Sequence, residues 1–392
     1  MRRFPRWIRW IGTFLLWSVV ALCLALTVVP PFLDRIYYRG PVTAHFDGRH
    51  FFNPDGEDDR ISATTSGSRW NFMLRQIFGD PQKPVWPVHV AVTPATPPAR
   101  VSGEAMLVTW VGHATLLVQA DGLNILTDPV WSKTAGPYGV GPARVADPGI
   151  RFGDLPRIDI VLVSHNHYDH MDLATLAKLW ARDHPLIVTS LGNDTILRSA
   201  GVEATGLDWG GAVQARGATV HVTRSHHWDS RWFTDRNRAL WSSFVVTLPH
   251  GNFFFAGDTG LGDGEWPAEA AALGPIRLAA IPIGAFRFED GQMAAGSHIG
   301  PRDAVRVWDG LGRPFAIPIH WGTFRLSWEG YRTPPDMLEV MLRCAGQYPD
   351  GAFPEARIGE TVKVPPLGPA PPPVNYAGIA LCEKQGLFKA YR

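Results

Sequence analysis

The run "SHNHYDH", residues 164–170, places three histidines and an aspartate inside seven residues, directly after the apolar run "IDIVLV". Burying so many imidazole and carboxylate groups together is unfavourable unless positive charge sits among them. The pattern H-x-H-x-D-H, at His165, His167, Asp169 and His170, therefore constrains the fold to one in which a buried strand delivers a loop of metal ligands. Neutral imidazoles with a carboxylate suit zinc or iron and need no thiolate. None is on offer in pairs, because the three cysteines, Cys23, Cys344 and Cys382, form no C-x-x-C motif. On a loop leaving a strand, this spacing turns alternate side chains toward two neighbouring points, so one short segment can serve two ions.

Two ions need more donors than one loop supplies, and the chain offers them in equivalent places. His226 and His227 follow "ATVHVT", Asp258 follows "FFFAG", and His320 follows "FAIPI". Each is a polar residue set where an apolar run stops, so separate strands point donors to one end of the fold, where layered α/β proteins place their sites. Neighbours on a strand end face opposite sides, so only one of His226 and His227 is expected to be a ligand.

The same runs set the architecture. "AMLVTWVG", "ATLLVQADGLNILTDP" and "IDIVLV" read as strands, with "ADG" as a hairpin turn. "MDLATLAKLWARD" has helical spacing, and "LIVTS" returns to strand. A second set follows: "ATVHVT", "LWSSFVVTLPHGNFFFAGDTG" and "IRLAAIPIGA", then a helix in "GPRDAVRVWDGLG", then "PFAIPIHWG". Strands followed by helices, twice over, predict a layered α/β protein with two packed sheets. The main domain is expected over 106–365. Residues 34–105, rich in aromatics and Pro, read as a lead-in lying across it, with a short helix in "SRWNFMLRQIFG" (68–79). Residues 366–392 read as a Pro-rich tail, whose "VPPLGPAPPPVNY" cannot pack as regular structure.

The N-terminus is of another kind. "MRRFPRWIRW" carries four arginines, and "IGTFLLWSVVALCLALTVV" then runs 19 residues without a charge. That is close to the roughly 20 residues of a membrane-spanning helix and longer than the ~7–15 residue core of a signal peptide. No A-x-A site follows, so residues 1–33 are expected to be an uncleaved anchor, with a cleaved signal as the alternative. Arginines before the span keep the N-terminus cytoplasmic and place the rest on the far side, in a bacterium the periplasmic face of the inner membrane. Cys344 and Cys382 would then be either one bridge or two free thiols. The whole chain is 45% hydrophobic, enough for a large core, and its 37 basic against 36 acidic residues give no field that would attract nucleic acid.

Taken together, "TWVGHATLLV", "LTDPVWS", "SHNHYDHMD", "HHW", "DRNRALWSSF", "FFFAGDTG" and "IHWGTF" resemble the metallo-β-lactamase-fold hydrolases, and within them the N-acyl-phosphatidylethanolamine-hydrolysing phospholipase D branch. The likeness runs from about residue 106 to 343, about 60% of the chain. It implies a four-layer αββα sandwich. It also implies one zinc on His165, His167 and His227, a second on Asp169, His170 and His320, and Asp258 bridging the two. "HW" in the family pattern selects His227 over His226. His113 in "GHAT" and Asp128 in "LTDP" match family positions beside the site, where hydrogen bonds to ligands are the expected role.

The activity implied is cleavage of a phosphodiester in a phospholipid. Two zinc ions, or iron or manganese in their place, sharing one water would lower its pKa from about 15.7 toward ~7 and supply hydroxide. Asp169 or His298, in "GSHIGP", would give the leaving group its proton. At residues 286–297 this chain reads "FRFEDGQMAAGS" where the phospholipases carry an aromatic, Arg-containing stretch, a departure that bears on substrate choice. The alternative activity is hydrolysis of a lactone or other carboxylic ester on the same metals, since a fold of this kind fixes the nucleophile and not the substrate.

Overall fold

The structure, a computed structural model, describes residues 5–33, 35–56, 84–232, 234–288, 296–347 and 351–391. The expected helix over 68–79 lies outside them. Thirteen strands follow one another among the described residues: β1 Met106–Gly112, β2 Thr115–Ala120, β3 Leu123–Thr127, β4 Ile160–Val163, β5 Leu186–Ser190, β6 Thr205–Leu207, β7 Ala212–Ala215, β8 Ala218–Thr223, β9 Ser243–Thr247, β10 Asn252–Phe255, β11 Ile276–Pro282, β12 Phe315–Ile319 and β13 Thr361–Val364. They form two sheets, ordered β13-β1-β2-β3-β4-β5-β6 and β12-β11-β10-β9-β8-β7. The hairpin expected at "ADG" joins β2 to β3, with Ala120 opposite Leu123 and both Asp121 (φ 52°) and Gly122 (φ 77°) left-handed, as a two-residue turn between twisted strands requires.

β3, β4, β5 and β6 pair in parallel, and so do β10, β11 and β12, so each step needs a crossover. Helices α2 (Leu173–Asp183) and α3 (Asn193–Ser199) supply two of them, and α4 (Trp266–Ala271) and α5 (Pro301–Gly310) two more, numbering from an N-terminal α1 (Arg6–Leu33). Period-2 alternation assigns the layers. Ile160 and Leu162 of β4 join Val220, Phe244 and Phe253 in the core between the sheets, whereas Val161 and Val163 pack outward with Leu176 and Leu179 of α2. Because every strand end in each parallel set points the same way, the loops after β4, β8, β10, β11 and β12 meet at one end of the sandwich.

Residues 35–56 and 84–105 lie along this body in extended form. Phe46 and Phe51 pack on Leu240 and Trp241, Ala95 N–H donates to Gly149 O at 2.7 Å, and Arg100 pairs with the buried Asp159. α1 contains a 21-residue apolar stretch, Trp7–Thr27, with mean hydropathy 2.0 and exposed side chains.

The C-terminal region carries regular structure beyond its proline run. The prolines themselves form none, but α7 (Tyr376–Lys384) follows them, capped by Asn375, which accepts from Gly378 N–H, and docked by Ile379. A disulfide between Cys344, at the end of α6 (Thr333–Cys344), and Cys382 holds the two helices together. Proline blocks regular structure only where it stands, and residues 376–384 contain none.

Candidate metal centre

β4 ends at Val163, and the chain leaves the core as Ser164–Met171. Asp128, one residue past β3, holds this loop at both ends. It accepts Ser164 N–H at 2.7 Å, Ser164 O–H at 2.6 Å and His170 Nδ1–H at 2.6 Å, all fully buried. Asp172 then caps α2 by accepting from Ala174 and Thr175 N–H. Between those two carboxylates the four donor residues have little freedom.

Their donor atoms converge in two groups. His165 Nε2 lies 2.8 Å from His167 Nδ1, which lies 3.4 Å from His227 Nε2, and Asp258 Oδ2 is 4.0 Å from the latter. In the second group His170 Nε2 is 3.2 Å from His320 Nε2, and Asp169 Oδ2 is 3.5 and 3.6 Å from the two. Asp258 faces both groups, with Oδ2 3.1 Å from His170 Nε2 and Oδ1 3.0 Å from His320 Nε2. Four ligand atoms at about 2.0–2.1 Å from a tetrahedral ion stand about 3.3 Å apart. Within each group the donor atoms all lie within 4.8 Å of one another.

The outer nitrogens carry the test of fit. His165 Nδ1 meets Ser164 Oγ at 2.9 Å, His227 Nδ1 the Ser297 carbonyl at 2.8 Å, His170 Nδ1 Asp128, and His320 Nδ1 the Gly284 carbonyl at 3.2 Å. A ring whose outer N–H is given to an oxygen turns a bare lone pair inward, as metal-binding imidazoles do. His167 is the exception: its Nε2 is buried with no hydrogen-bond partner, and the Trp228 ring packs on it at 4.3 Å. Inward lone pairs 2.8 to 3.4 Å apart repel unless a cation lies between them, so the donor set fits a pair of divalent ions.

Electrostatics agree. Burial keeps His165 and His227 neutral far below the ordinary imidazole range and takes His167 down to about 3. Burial also opposes charge on Asp169 and Asp258, yet His170 beside them holds both carboxyls well below the usual range. Against its own burial, His320 is pulled up to about 9, chiefly by Asp258. The cavity thus keeps its carboxylates ionised and draws positive charge inward.

Two left-handed residues bring β1 and β12 together. His113 (φ 53°) and His320 (φ 65°) are joined by His320 N–H donating to the His113 carbonyl at 3.1 Å. His113 Nε2–H donates to Asp169 Oδ2 at 3.0 Å, and burial lowers its ring to about 3. Strained backbone at two non-glycine residues persists where the surrounding structure holds it, as it does at functional sites. Gly257 has the converse role: at φ 61°, a Cβ there would lie 2.6 Å from Ser164 Cβ, so only glycine lets Asp258 come this close to the histidine loop.

Of the residues read from the sequence, His165, His167, Asp169, His170, His227, Asp258 and His320 converge as described, with His113 and Asp128 against them. His298 stands at the rim, its Nδ1 3.8 Å from Asp258 Oδ2 and its ring 5.0 Å from His227. His226 turns away, toward the Gly296 carbonyl and Asp55. Of the divergent stretch 286–297, residues 289–295 lie outside the described residues. Others went unread. Arg231 donates to the Asn166 and Met171 carbonyls, both at 2.9 Å, and Asn166 Nδ2–H to Asp229 Oδ2 at 2.5 Å, tying the loop after β8 to the histidine loop. Asn53 donates to the carbonyl of His227 at 3.0 Å. The dense polar run "WDSRWFTDRN" after His227 is the one signal that could have pointed to the first of these ties.

Comparison with known proteins follows the same lines. A family model described as a beta-lactamase superfamily domain matches residues 123–321. N-acyl-phosphatidylethanolamine-hydrolyzing phospholipase D 1 of Caenorhabditis elegans is 34% identical over 273 residues, covering 66% of this chain and 76% of its own. An uncharacterized protein of Mycobacterium tuberculosis is 33% identical over 311 residues, covering 77% and 78%. Among solved structures, an isothiocyanate hydrolase from Delia radicum gut bacteria superposes with a TM-score of 0.52 over 66% of this chain and 99% of its own, at 19% identity, a likeness of fold.

Proposed function

This chain belongs to the metallo-β-lactamase superfamily of metal-dependent hydrolases, and from that premise we propose that it is a membrane-anchored, two-metal phosphodiesterase acting on a phospholipid of the N-acyl-phosphatidylethanolamine kind. The observation that carries the reading is the pair of donor groups sharing Asp258. His165, His167 and His227 would hold one ion, zinc by the softness of the donors, and Asp169, His170 and His320 the other. When bound, such ions would lower the pKa of water and neutralise charge on a phosphoryl oxygen.

The chain's own residues do the rest. Asp128, Ser164 and the Ser297 and Gly284 carbonyls hold four of the five imidazoles, those of His170, His165, His227 and His320, in the tautomer that binds, so little reorganisation falls on the reaction. Asp169 accepts from His113 and is held ionised, so it has no proton to give. His298, at the rim beside Asp258, is the group in place to protonate the leaving alkoxide as the bond from phosphorus to that oxygen breaks.

The lipid substrate is supported by the name of the nematode relative and by α1, long and apolar enough to cross a bilayer. The bridge between Cys344 and Cys382 suits an oxidising compartment, and with the arginines at the N-terminal end of α1 it supports a catalytic domain on the periplasmic side of a bacterial inner membrane. The test is turnover by the full-length, metal-loaded protein on a panel of phosphodiesters and carboxylic esters, with His167→Ala as control. Release of phosphatidic acid or its analogue, abolished in the control, is expected. Turnover of carboxylic esters alone would replace this reading with that of a lactonase or esterase.

A further inference from the structure

Residues 134–143, "TAGPYGVGPA", form a loop with no charged side chain, set between Lys133 and Arg144. Its base is closed: Ala135 N–H donates to Pro142 O and Arg144 N–H to Lys133 O, both at 2.9 Å, and Val140 N–H donates to Pro137 O across the tip. The tip projects into solvent with Tyr138 93% and Val140 71% exposed. An uncharged loop closed on itself has no need of two such side chains in water.

Its surroundings say what covers it. A groove of about 560 Å³ runs beside the loop, with Pro137 and Tyr138 on one wall, Arg35 and Ile36 on another, and Tyr168, between His167 and Asp169, also in its lining. Arg35 is eight residues beyond Thr27, where the apolar stretch of α1 ends, and the chain stays helical to Leu33. Six helical residues rise about 9 Å, and two further residues can add at most about 7 Å whatever their conformation. A bilayer that holds Trp7–Thr27 therefore holds this groove at its surface, whichever way the domain turns. Arg35 stands over the Trp232 ring at 5.1 Å, and Ile36 is 48% exposed. A basic residue over an indole, with a tyrosine nearby, is the chemistry of the layer between headgroups and acyl chains.

We propose that loop 134–143, together with Arg35 and Ile36, is a docking face that enters the interfacial layer of the bilayer in which the chain's own anchor sits. The proposal rests on the anchor reading above. Docked in this way, the end of the fold that bears His167 and Asp169 faces the lipid headgroups, and a phospholipid reaches the site without leaving its leaflet. The occupant is lipid because the tether keeps lipid at the groove at all times, an effective concentration no free partner matches.

Cys23 is the free thiol among the described residues, since the other two are bridged. The full chain is placed in vesicles of phosphatidylethanolamine and phosphatidylglycerol. An environment-sensitive fluorophore is attached at Cys23 or, in a Cys23→Ser background, at Tyr138→Cys, Val140→Cys or Leu273→Cys. Leu273, which accepts from Asn252 at the start of β10, marks the opposite end of the fold. Circular dichroism identifies the variants that keep the parent fold. Labels at 138 and 140 are expected to shift to the blue and be quenched by nitroxide-bearing lipid, while the label at 273 yields to aqueous iodide alone. Should the Cys23 label lie in lipid while those at 138 and 140 are as open to iodide as that at 273, the docking face is overturned and the anchor stands. Iodide quenching at Cys23 itself overturns the anchor, and the docking face with it.

Discussion

At the scale of single residues, the site depends on who holds the ligands as much as on the ligands themselves. Asp128 accepts three buried hydrogen bonds, one from His170 and two from Ser164. Asp128→Ala leaves those donors without partners, at about 1–3 kcal/mol each, and frees the His170 ring. The expected result is a lower thermal midpoint and a second ion bound about 10–100-fold more weakly, read by titration against a chromophoric chelator. Acid and alkali act on the metal-free protein from opposite sides. His320 rises from the ordinary 6.5 to about 9 in the fold, so its contribution is full below pH 6.5 and is lost as pH climbs through about 9. His113 and His167 fall from 6.5 to about 3, so theirs is present above pH 6.5 and lost as pH drops toward 3. The chelated protein should therefore be most stable near neutrality, and His320→Gln should flatten the alkaline limb of thermal midpoint against pH. The convergence of these donor residues was legible in the sequence because most of them are polar side chains at the end of an apolar run. Arg231 and Asn53 were not, because they act on backbone carbonyls far away in the chain, and nothing in a residue's type announces that.

At the scale of elements, the strands announced themselves through apolar runs cut by Gly, Asp and Pro. Residues 376–384, "YAGIALCEK", gave weaker notice: this short helix buries only Ile379 and owes its place to the Asn375 cap and the bridge to Cys344. That bridge closes a stretch of 38 residues, a length for which a disulfide contributes about 2–4 kcal/mol. Cys382→Ser should lower the thermal midpoint accordingly and leave metal stoichiometry unchanged, because α7 touches no donor residue. Gly257 predicts the reverse pattern. Gly257→Ala forces a Cβ to within 2.6 Å of Ser164 and strains a backbone at φ 61°. The loss is about 1 kcal/mol or more, and here metal affinity should fall with stability, since the loop pushed aside carries His165. Measuring midpoint and metal content on both variants separates an element that braces the domain from one that spaces the centre.

At the scale of the whole molecule, the segment that follows α1 braces the candidate centre from outside. Tyr37 O–H donates to Asp235 at 2.7 Å, Phe51 N–H to Asn237 O at 2.8 Å, and Asn53 to the His227 carbonyl at 3.0 Å, while Arg238 donates to Arg49 O at 2.9 Å. Residues 37–53 thus grip the long loop between β8 and β9 from outside, and that loop supplies His227 to the first group of donors. No alternation or helical period marks them, because their backbone satisfies itself on a loop and not in a sheet. The consequence is a position-specific effect at a distance. Tyr37→Phe with Asn53→Ala removes two of these ties and touches no donor atom. It should weaken the first ion about tenfold, through looser placement of His227, and leave the second ion, on Asp169, His170 and His320, at its parental affinity. Two-step displacement by a graded chelator reads the two affinities apart. Equal weakening of both would mean that residues 37–53 stabilise the domain in general; loss confined to the first ion would mean that the stretch of chain following α1 sets the geometry of the candidate metal centre.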